Sequence, residues 1–225
     1  MRKTLLCFGD SNTWGFDCER WVKDSPAFRF APEVRWPGVL AAELGPDYAV
    51  IEEGHNGRTT VFDDEVEGEH RNALRYLQAC LESHAPLDAV VIMLGTNDLK
   101  ERFAATASDI AAGAARLAQL VLASRVGPSA KAPAVLLVAP FPVGREIRSS
   151  PFGEMFGYEA AIAKSRLFAE RYAERAKALG LGFLDAGAVV TAHPKDSIHL
   201  GAAEHRKLGL AVAAALRPML QGARV

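Results

Sequence analysis

The sequence predicts an α/β fold: a three-layer α/β/α domain of flavodoxin-like topology around a five-stranded parallel sheet. Short apolar runs alternate with segments of helical length, which is the order of elements in doubly wound folds. The runs are almost wholly apolar and do not alternate with polar residues, which is typical of parallel strands covered by helices on both faces. We expect residues 1–225 to form one such domain.

Each element is predicted from its local pattern. The five predicted strands lie at 3–8, 48–52, 88–94, 134–139 and 181–184. The five predicted helices lie at 36–45, 69–84, 108–125, 158–180 and 201–220. In the third helix, Ser108 and Asp109 supply a start signal, and Gly180 ends the fourth helix as a C-cap residue would.

Composition argues against several classes of protein. With 26 basic and 27 acidic side chains, the chain offers no basic stripe for nucleic acid and no polybasic tail for a membrane. No stretch approaches the roughly 18 apolar residues of a membrane span. The first apolar run is also shorter than the apolar core of a secretory signal peptide, which has roughly 7–15 residues. Cys7, Cys18 and Cys80 show no CxxC spacing. We therefore expect a cytoplasmic protein that acts on a small molecule.

Four polar segments follow strands or precede the last helix of this predicted fold. They are GDSN at 9–12, EEGHNGRTT at 52–60, GTND at 95–98 and DSIH at 196–199. In open α/β sheets, ligands bind outside the carboxyl ends of the strands. The four segments are therefore expected on one rim, where chemistry would take place.

The rim offers a candidate for each part of a serine hydrolase. Ser11 would be the nucleophile and His199 the base that takes its proton. Asp196 lies three residues before His199, so its carboxylate can reach Nδ1 and hold the tautomer that leaves Nε2 free. Backbone N–H groups of Ser11 and Gly57, with the side-chain amide of Asn97, would form the oxyanion hole. Because all these groups belong to the protein, no cofactor and no metal is required.

Each residue alone also fits an ordinary structural role. A serine before a helix is commonly an N-cap, which is the first interpretation of Ser11. Asn97 and Asp98 fit a turn with a side-chain hydrogen bond, and His199 fits a solvated loop histidine. The catalytic interpretation depends on all four segments lying on one rim in an order that completes one reaction.

Two other function classes are open to the same residues. A metal-dependent phosphoesterase would use the potential ligands Asp10, His55, Asn97, Asp98 and His199. Its usual paired ligand motifs are missing. A non-catalytic flavin or nucleotide module would use the first strand-to-helix turn, which lacks both common phosphate-binding glycine patterns.

The four segments together resemble the blocks of the SGNH, or GDSL-type, hydrolases. The resemblance extends from residue 8 to residue 199 and implies the same roles for Ser11, Gly57, Asn97 and His199, with Asp196 as third triad member. Asn12 stands where GDSL members carry leucine. Longer stretches such as RFAPEVRWPGVLAAELG and PLDAVVIMLGTND are similar to the arylesterase and acyltransferase (perhydrolase) branch, which implies hydrolysis of small esters or acyl transfer to alcohols or hydrogen peroxide.

Predicted substrate contacts flank the nucleophile and the base. They are Asp10, Asn12, Trp14 and Ile198. Phe16 is expected either in the same apolar wall or in the core. The segment 141–157, with its phenylalanines and Met155, is expected to cover a pocket, and the resemblance implies subunit contacts there and thus a homo-oligomer.

Overall fold

A five-stranded parallel sheet forms the centre of the computed structural model, which describes residues 2–221. The strands are β1 (Lys3–Gly9), β2 (Tyr48–Gly54), β3 (Ala89–Met93), β4 (Ala134–Ala139) and β5 (Gly182–Asp185). They pair in the order β2-β1-β3-β4-β5, and every neighbouring pair is parallel. This confirms the predicted fold class and its flavodoxin-like strand order.

Helices cover both faces of the sheet. They are α1 (Ser11–Trp14), α2 (Trp36–Leu44), α3 (Ala73–Ser83), α4 (Ala107–Ala123), α5 (Gly153–Phe156), α6 (Glu159–Ser165), α7 (Phe168–Leu179) and α8 (Ala202–Gln221). One core lies between the sheet and α3, α4 and α7, and the other between the sheet and α2 and α8. Side chains of β1 alternate between them: Leu6 and Phe8 enter the first, Leu5 and Cys7 the second. Both faces are buried, as the unbroken apolar runs predicted.

The helix predicted at 158–180 is two helices, so this prediction was wrong. The break falls between α6 and α7, where Leu167 N–H bonds to the carbonyl of Lys164, three residues back. The Ser165 hydroxyl accepts a hydrogen bond from Val143 N–H at 3.0 Å. The same hydroxyl donates to the carbonyl of Ile162 at 3.2 Å, and a side chain that bonds to the carbonyl three residues back competes with regular helical bonding. The interruption thus falls beside a hydroxyl that is bonded both within its own helix and to a distant segment, which helical periodicity does not record.

Three other helices begin at residues different from those predicted, and α8 begins one residue late, at Ala202 instead of 201. The helix predicted from 69 begins at Ala73, because the side chain of Asn72 accepts from Leu74 N–H and caps it. The helix predicted from 108 begins one residue earlier. Its cap is Thr106, which forms a capping box with Asp109, so Asp109 was identified correctly as a start signal and Ser108 was not.

Strand register brings the predicted rim together. Gly9, the last residue of β1, pairs with Gly54 on one side and with Met93 on the other. The segments that follow β1, β2 and β3 therefore leave the sheet at the same level. Within residues 2–221, no helix is long and apolar enough to span a bilayer.

His205 is a buried histidine of α8 that links this helix to α2. Its ring is fully buried, its Nδ1 accepts from Trp36 N–H at 3.3 Å, and the Phe30 ring meets it edge-on. Burial first, and then the nearby positive groups, lower the pKa of His205 to about 3. The ring is therefore neutral in the folded protein over most of the acidic range.

Acidification should destabilise the protein through His205. An unfolded histidine binds its proton near pH 6.5, whereas the folded one binds it only near pH 3, so lowering the pH through this window favours the unfolded state. Between pH 7 and pH 4 we expect a loss of about 3 kcal/mol in the free energy of unfolding from this group. Urea unfolding of the wild type and of His205→Gln at both pH values measures it. Parallel losses in the two proteins would contradict the prediction.

Candidate active site

The nucleophile candidate Ser11 lies in the tight turn between β1 and α1. The carboxylate of Asp10 accepts from Asn12 N–H at 2.9 Å, so Asp10 is the cap of α1 and Ser11 is its first helical residue. Gly9 makes the turn possible, because a Cβ there would lie 2.1 Å from Thr13 Oγ1. Asp10, and not Ser11, is therefore the N-cap, and the side chain of Ser11 lines a cavity.

Three predicted residues form a connected hydrogen-bonded chain. His199 Nε2 lies 2.9 Å from Ser11 Oγ, and His199 Nδ1 lies 2.7 Å from Asp196 Oδ2. All three side chains are buried. Burial alone would raise the pKa of Asp196, but the charge of His199 and its hydrogen bonds outweigh burial and lower it. The carboxylate therefore stays ionised beside the ring, as a group that orients a base must.

The loop that carries Asp196 and His199 is held from several directions. Asp196 Oδ1 accepts from the backbone N–H groups of Ile198 and His199, at 3.1 and 3.0 Å. The Ser150 hydroxyl donates to the Asp196 carbonyl at 2.6 Å. Ser197 has a φ of 67°, in the left-handed region that few non-glycine residues adopt. The three-residue spacing thus becomes a tight turn, and its strain is offset by these hydrogen bonds.

Asn12 does not contact the cavity, although it was predicted to contact substrate. Its Nδ2 donates to the carbonyl of Ile198 at 3.1 Å, and its Oδ1 accepts from Leu200 N–H at 3.0 Å. The side chain is 2% exposed and brackets His199 from both sides. Asn12 is therefore a positioning residue that ties the turn of Ser11 to the loop of His199.

Replacing Asn12 with leucine should impair turnover and stability, with KM nearly unchanged. The change strands a buried carbonyl and a buried N–H, each at a cost of about 1–3 kcal/mol. Displacement of the His199 ring should lower kcat by up to about 100-fold. Steady-state kinetics and urea unfolding measure both effects. Asn12→Asp keeps the acceptor and loses the donor, so its kcat and stability should lie between those of the wild type and of Asn12→Leu. A change in KM with kcat and stability intact would restore the substrate-contact interpretation.

The three predicted oxyanion donors converge on the same cavity. Ser11, Gly57 and Asn97 all line it. Within residues 2–221, neither Ser11 N–H nor Gly57 N–H donates to another protein group. Asn97 Nδ2 donates to the carbonyl of Arg58 at 3.1 Å, which fixes the orientation of the amide. Gly57 has a φ of 75°, which accounts for glycine at this position.

Two residues position the donors, a role that the sequence did not predict for either; Asp98 was named only as a turn residue and a potential metal ligand. Asp98 accepts from Thr60 N–H at 2.9 Å and from the Thr60 hydroxyl at 2.5 Å, and so anchors the loop that carries Gly57. Arg58 donates to the carbonyl of Gly9 at 2.9 Å, and its guanidinium lies over the Phe8 ring. The only signal in the sequence was the position of Asp98 directly after Asn97.

Burial raises the pKa of two carboxyl groups behind the site by more than their hydrogen bonds lower it. The pKa of Asp10 and that of Asp98 are each raised to about 6, in both cases mainly by burial. Asp10 was predicted to contact substrate, but its side chain is 1% exposed and does not line the cavity. It points to Asn12 N–H because it caps α1. Neither carboxylate is presented to the cavity, which removes two of the ligands that a metal-dependent phosphoesterase would use.

The cavity has a volume of about 240 Å³ and two unlike sides. Its apolar lining residues are Phe16, Phe152, Met155, Phe156 and Ile198. Phe16 stacks on the His199 ring with centroids 4.2 Å apart, and Phe152 meets the same ring edge-on. Ile198 thus lies where it was predicted. Trp14 does not, because its half-buried ring packs under the guanidinium of Arg29, outside the cavity.

The segment 141–157 covers the cavity in part, as expected. Phe152, Met155 and Phe156 reach the cavity, whereas Phe141 packs in the core beside α8. Trp21 stacks on Phe152 with centroids 5.1 Å apart, which supports the segment from outside.

The polar side of the cavity contains both acidic and basic side chains. Its polar lining residues other than the catalytic candidates are Asn56, Glu67, Arg71 and Lys100. Lys100 is 2% exposed, and its ammonium group lies 2.5 Å from Glu67 Oε1. Asp64, Arg102 and Arg71, whose Nε lies 3.5 Å from Glu67 Oε2, extend this into a network of two acids and three bases. The network therefore carries one positive charge in excess and presents fixed hydrogen-bonding groups to the cavity.

The fold and the site together place the protein among the SGNH hydrolases. The chain belongs to the GDSL-like lipase/acylhydrolase family, which it matches over residues 7–207. Membership makes it an ester hydrolase and confirms the resemblance seen in the four sequence segments.

Solved structures provide relatives over nearly the whole chain. The native aryl esterase of M. smegmatis is 43% identical, with a TM-score of 0.87, and the match covers 96% of this chain and 99% of that one. Est24, a carbohydrate acetylesterase from Sinorhizobium meliloti, is 40% identical with a TM-score of 0.88, and the match covers 97% and 100%. A putative arylesterase from Agrobacterium tumefaciens is 42% identical with a TM-score of 0.83, covering 96% and 99%. Comparison with curated proteins gave no match.

Proposed function

We propose that the protein is a serine esterase that hydrolyses small carboxylic esters through an acyl-enzyme on Ser11. The observation that carries the proposal is the connected chain from Asp196 through His199 to Ser11 Oγ, which ends in a cavity lined by three oxyanion donors. Side-chain type, distance and burial all agree with a nucleophile, its base and the group that orients the base.

The proposed reaction has two steps. Ser11 Oγ attacks the ester carbonyl while its proton passes to His199 Nε2, and the oxyanion accepts from Ser11 N–H, Gly57 N–H and Asn97 Nδ2. The alcohol then leaves with the proton from His199. In the second step water gives its proton to His199 and attacks the acyl carbon, and Ser11 leaves with the proton. An alcohol or hydrogen peroxide in place of water would give acyl transfer.

The size and lining of the cavity indicate the substrate class. A volume of about 240 Å³ is small beside the roughly 300–1,000 Å³ of common ligand pockets, so a short acyl group fits better than a long chain. The apolar side suits an aryl or alkyl part. The relatives, named as aryl esterases and a carbohydrate acetylesterase, agree with short or aromatic esters.

The polar lining residues of the cavity also favour a hydroxylated alcohol part. Asn56, Glu67, Arg71 and Lys100 bring hydrogen-bond donors and acceptors to the lining. A sugar hydroxyl can both donate and accept, so it can pair with either kind of group. An acetylated sugar is therefore a second candidate substrate. Asn56→Ala should raise KM for an acetylated methyl glycoside and leave KM for p-nitrophenyl acetate unchanged.

We also propose self-association next to the cavity mouth. Met155, Tyr158 and Leu167 are large apolar side chains exposed in and beside the segment 141–157. Exposed apolar groups that cluster beside a pocket commonly mark an interface. Sedimentation equilibrium of the wild type and of a Tyr158→Glu, Leu167→Glu double variant measures the association, and a wild type that is monomeric throughout would contradict it.

Trapping the covalent intermediate tests the proposed mechanism. A slowly hydrolysed p-nitrophenyl ester should release about one equivalent of p-nitrophenol in a burst, and the intact mass should rise by one acyl group. Peptide mass spectrometry should place that group on Ser11. The steady rate should be insensitive to EDTA, because every proposed group is supplied by the protein. An acyl group on another residue, or a rate abolished by EDTA, would overturn the proposal.

A further inference from the structure

A cluster of three unlike metal-binding side chains lies away from the cavity of Ser11, at the edge of the sheet. It consists of Glu53 on the edge strand β2, Cys80 on α3, and His84 at the C-cap of α3. Cys80 and His84 are four residues apart, so both side chains lie on the same face of the helix. None of the three lines the cavity that contains Ser11.

The donor atoms of these three residues already lie together. All three are within 4.8 Å of one another, and His84 Nε2 is 2.8 Å from Glu53 Oε1. Zinc bonds of about 2.0–2.3 Å in a tetrahedron place donor atoms roughly 3.3–3.6 Å apart. The cluster therefore needs only a slight opening of the His84 and Glu53 pair and a small rotation of Cys80.

We propose that Glu53, Cys80 and His84 bind a single Zn²⁺ ion, with water as the fourth ligand. Thiolate sulfur, imidazole nitrogen and carboxylate oxygen are the donors that zinc takes in proteins, and three protein ligands leave one position of the tetrahedron for water. Metals that prefer six oxygen donors do not suit this set. The inference does not depend on the proposed esterase activity.

The surroundings of the cluster support a bound cation. The Tyr76 hydroxyl donates to Glu53 Oε2 at 3.3 Å and would orient the carboxylate from outside, as groups next to metal ligands commonly do. Glu53 and Tyr76 line a surface cavity of about 550 Å³, which gives an ion in solution access to the carboxylate. The neighbouring cation, Arg58, donates to the backbone carbonyls of Gly9 and Glu53, and its guanidinium lies over the Phe8 and Tyr76 rings.

Binding would change the protonation of the thiol. Burial, and then the charge of Glu53, raise the pKa of Cys80 to about 12, so the group is a thiol when no metal is bound. A coordinated thiol loses its proton outright. The S–H bond breaks, a Zn–S bond forms, the proton passes to the solvent, and no oxidation or reduction takes place. The ion would then join β2 to the end of α3.

Cobalt titration tests the site directly. Untagged protein, treated with chelator and kept reduced, is titrated with Co²⁺, which gives a near-ultraviolet charge-transfer band when bound to thiolate. We expect one Co²⁺ per chain, the thiolate band, and loss of the band when Zn²⁺ is added. Cys80→Ser should abolish the band, and His84→Gln should weaken binding by more than the roughly 10- to 100-fold that loss of an outer group costs.

Matched variants make the outcome decisive. Cys7→Ser removes another buried thiol and His70→Gln removes a histidine of the adjacent cavity, and both should bind Co²⁺ as the wild type does. Because His84 is partly exposed at a helix end, its variant should fold even if Cys80→Ser does not. Absence of a thiolate band in the wild type, or its persistence in Cys80→Ser, would overturn the proposal. Chelator-treated protein should still hydrolyse p-nitrophenyl acetate, so the failure of either proposal is distinguishable from that of the other.

Discussion

Replacing Ser11 with alanine should lower kcat for p-nitrophenyl acetate by about 10⁵- to 10⁶-fold. Ser11 Oγ is the group at the end of the chain from Asp196 through His199, and its loss leaves the base without a nucleophile to deprotonate. The oxyanion donors remain, so a residual rate above that in water is expected.

The control for Ser11→Ala is Ser108→Ala, which removes an exposed hydroxyl far along the chain. Initial rates over a range of substrate concentrations give kcat and KM for both variants. Thermal unfolding followed by circular dichroism verifies that each has folded. If Ser11→Ala kept more than a small fraction of the wild-type rate, the acyl-enzyme mechanism on Ser11 would be wrong.

Asp196→Asn should lower kcat by about 10⁴-fold with little change in KM. The new amide would donate to His199 Nδ1, where the carboxylate accepts, so the ring proton would move to Nε2. His199 could then no longer take the proton of Ser11. The amide would keep one oxygen as an acceptor for the N–H groups of Ile198 and His199, so the loop should hold its shape.

The matched control for this variant is Asp185→Asn. Asp185 also accepts a hydrogen bond from a backbone N–H two residues on, that of Gly187, but it lies at the end of β5 and outside the cavity. Its variant should keep wild-type kinetics. Equal rates for Asp196→Asn and the wild type would remove Asp196 from the proposed mechanism.

The fold could be predicted because most of its strands and helices are recognisable from the apolar and polar residues of each segment alone. Buried parallel strands require unbroken apolar runs, and these gave all five strands and hence the edge at which polar loops meet. The helix at 158–180 could not be divided in the same way. Its break falls beside Ser165, whose hydroxyl bonds to the carbonyl of Ile162 and to the N–H of Val143, and helical periodicity records neither bond.

The candidate site also contains residues that local sequence was enough to select and residues whose role depends on distant contacts. Residue type and position at strand ends were enough to select Ser11, Gly57 and Asn97, which the structure brings to one cavity. Asn12 was assigned to substrate because it adjoins the nucleophile, yet its side chain turns inward to residues more than 180 positions away. The direction in which a buried amide points is set by unpaired backbone groups nearby. Those groups are known only once the chain is folded.

Strand order also has a consequence for how activity arises during synthesis. Ser11 and His199 are 188 positions apart in the chain, and they meet only through the pairing of the sheet and the docking of the last loop. Closing a loop of this length has an entropic cost, and topologies rich in such contacts fold more slowly. A growing or partly folded chain therefore holds its nucleophile without a base. Ester cleavage through Ser11 therefore requires both ends of the chain to be in place, and its recovery during refolding reports the docking of the last loop.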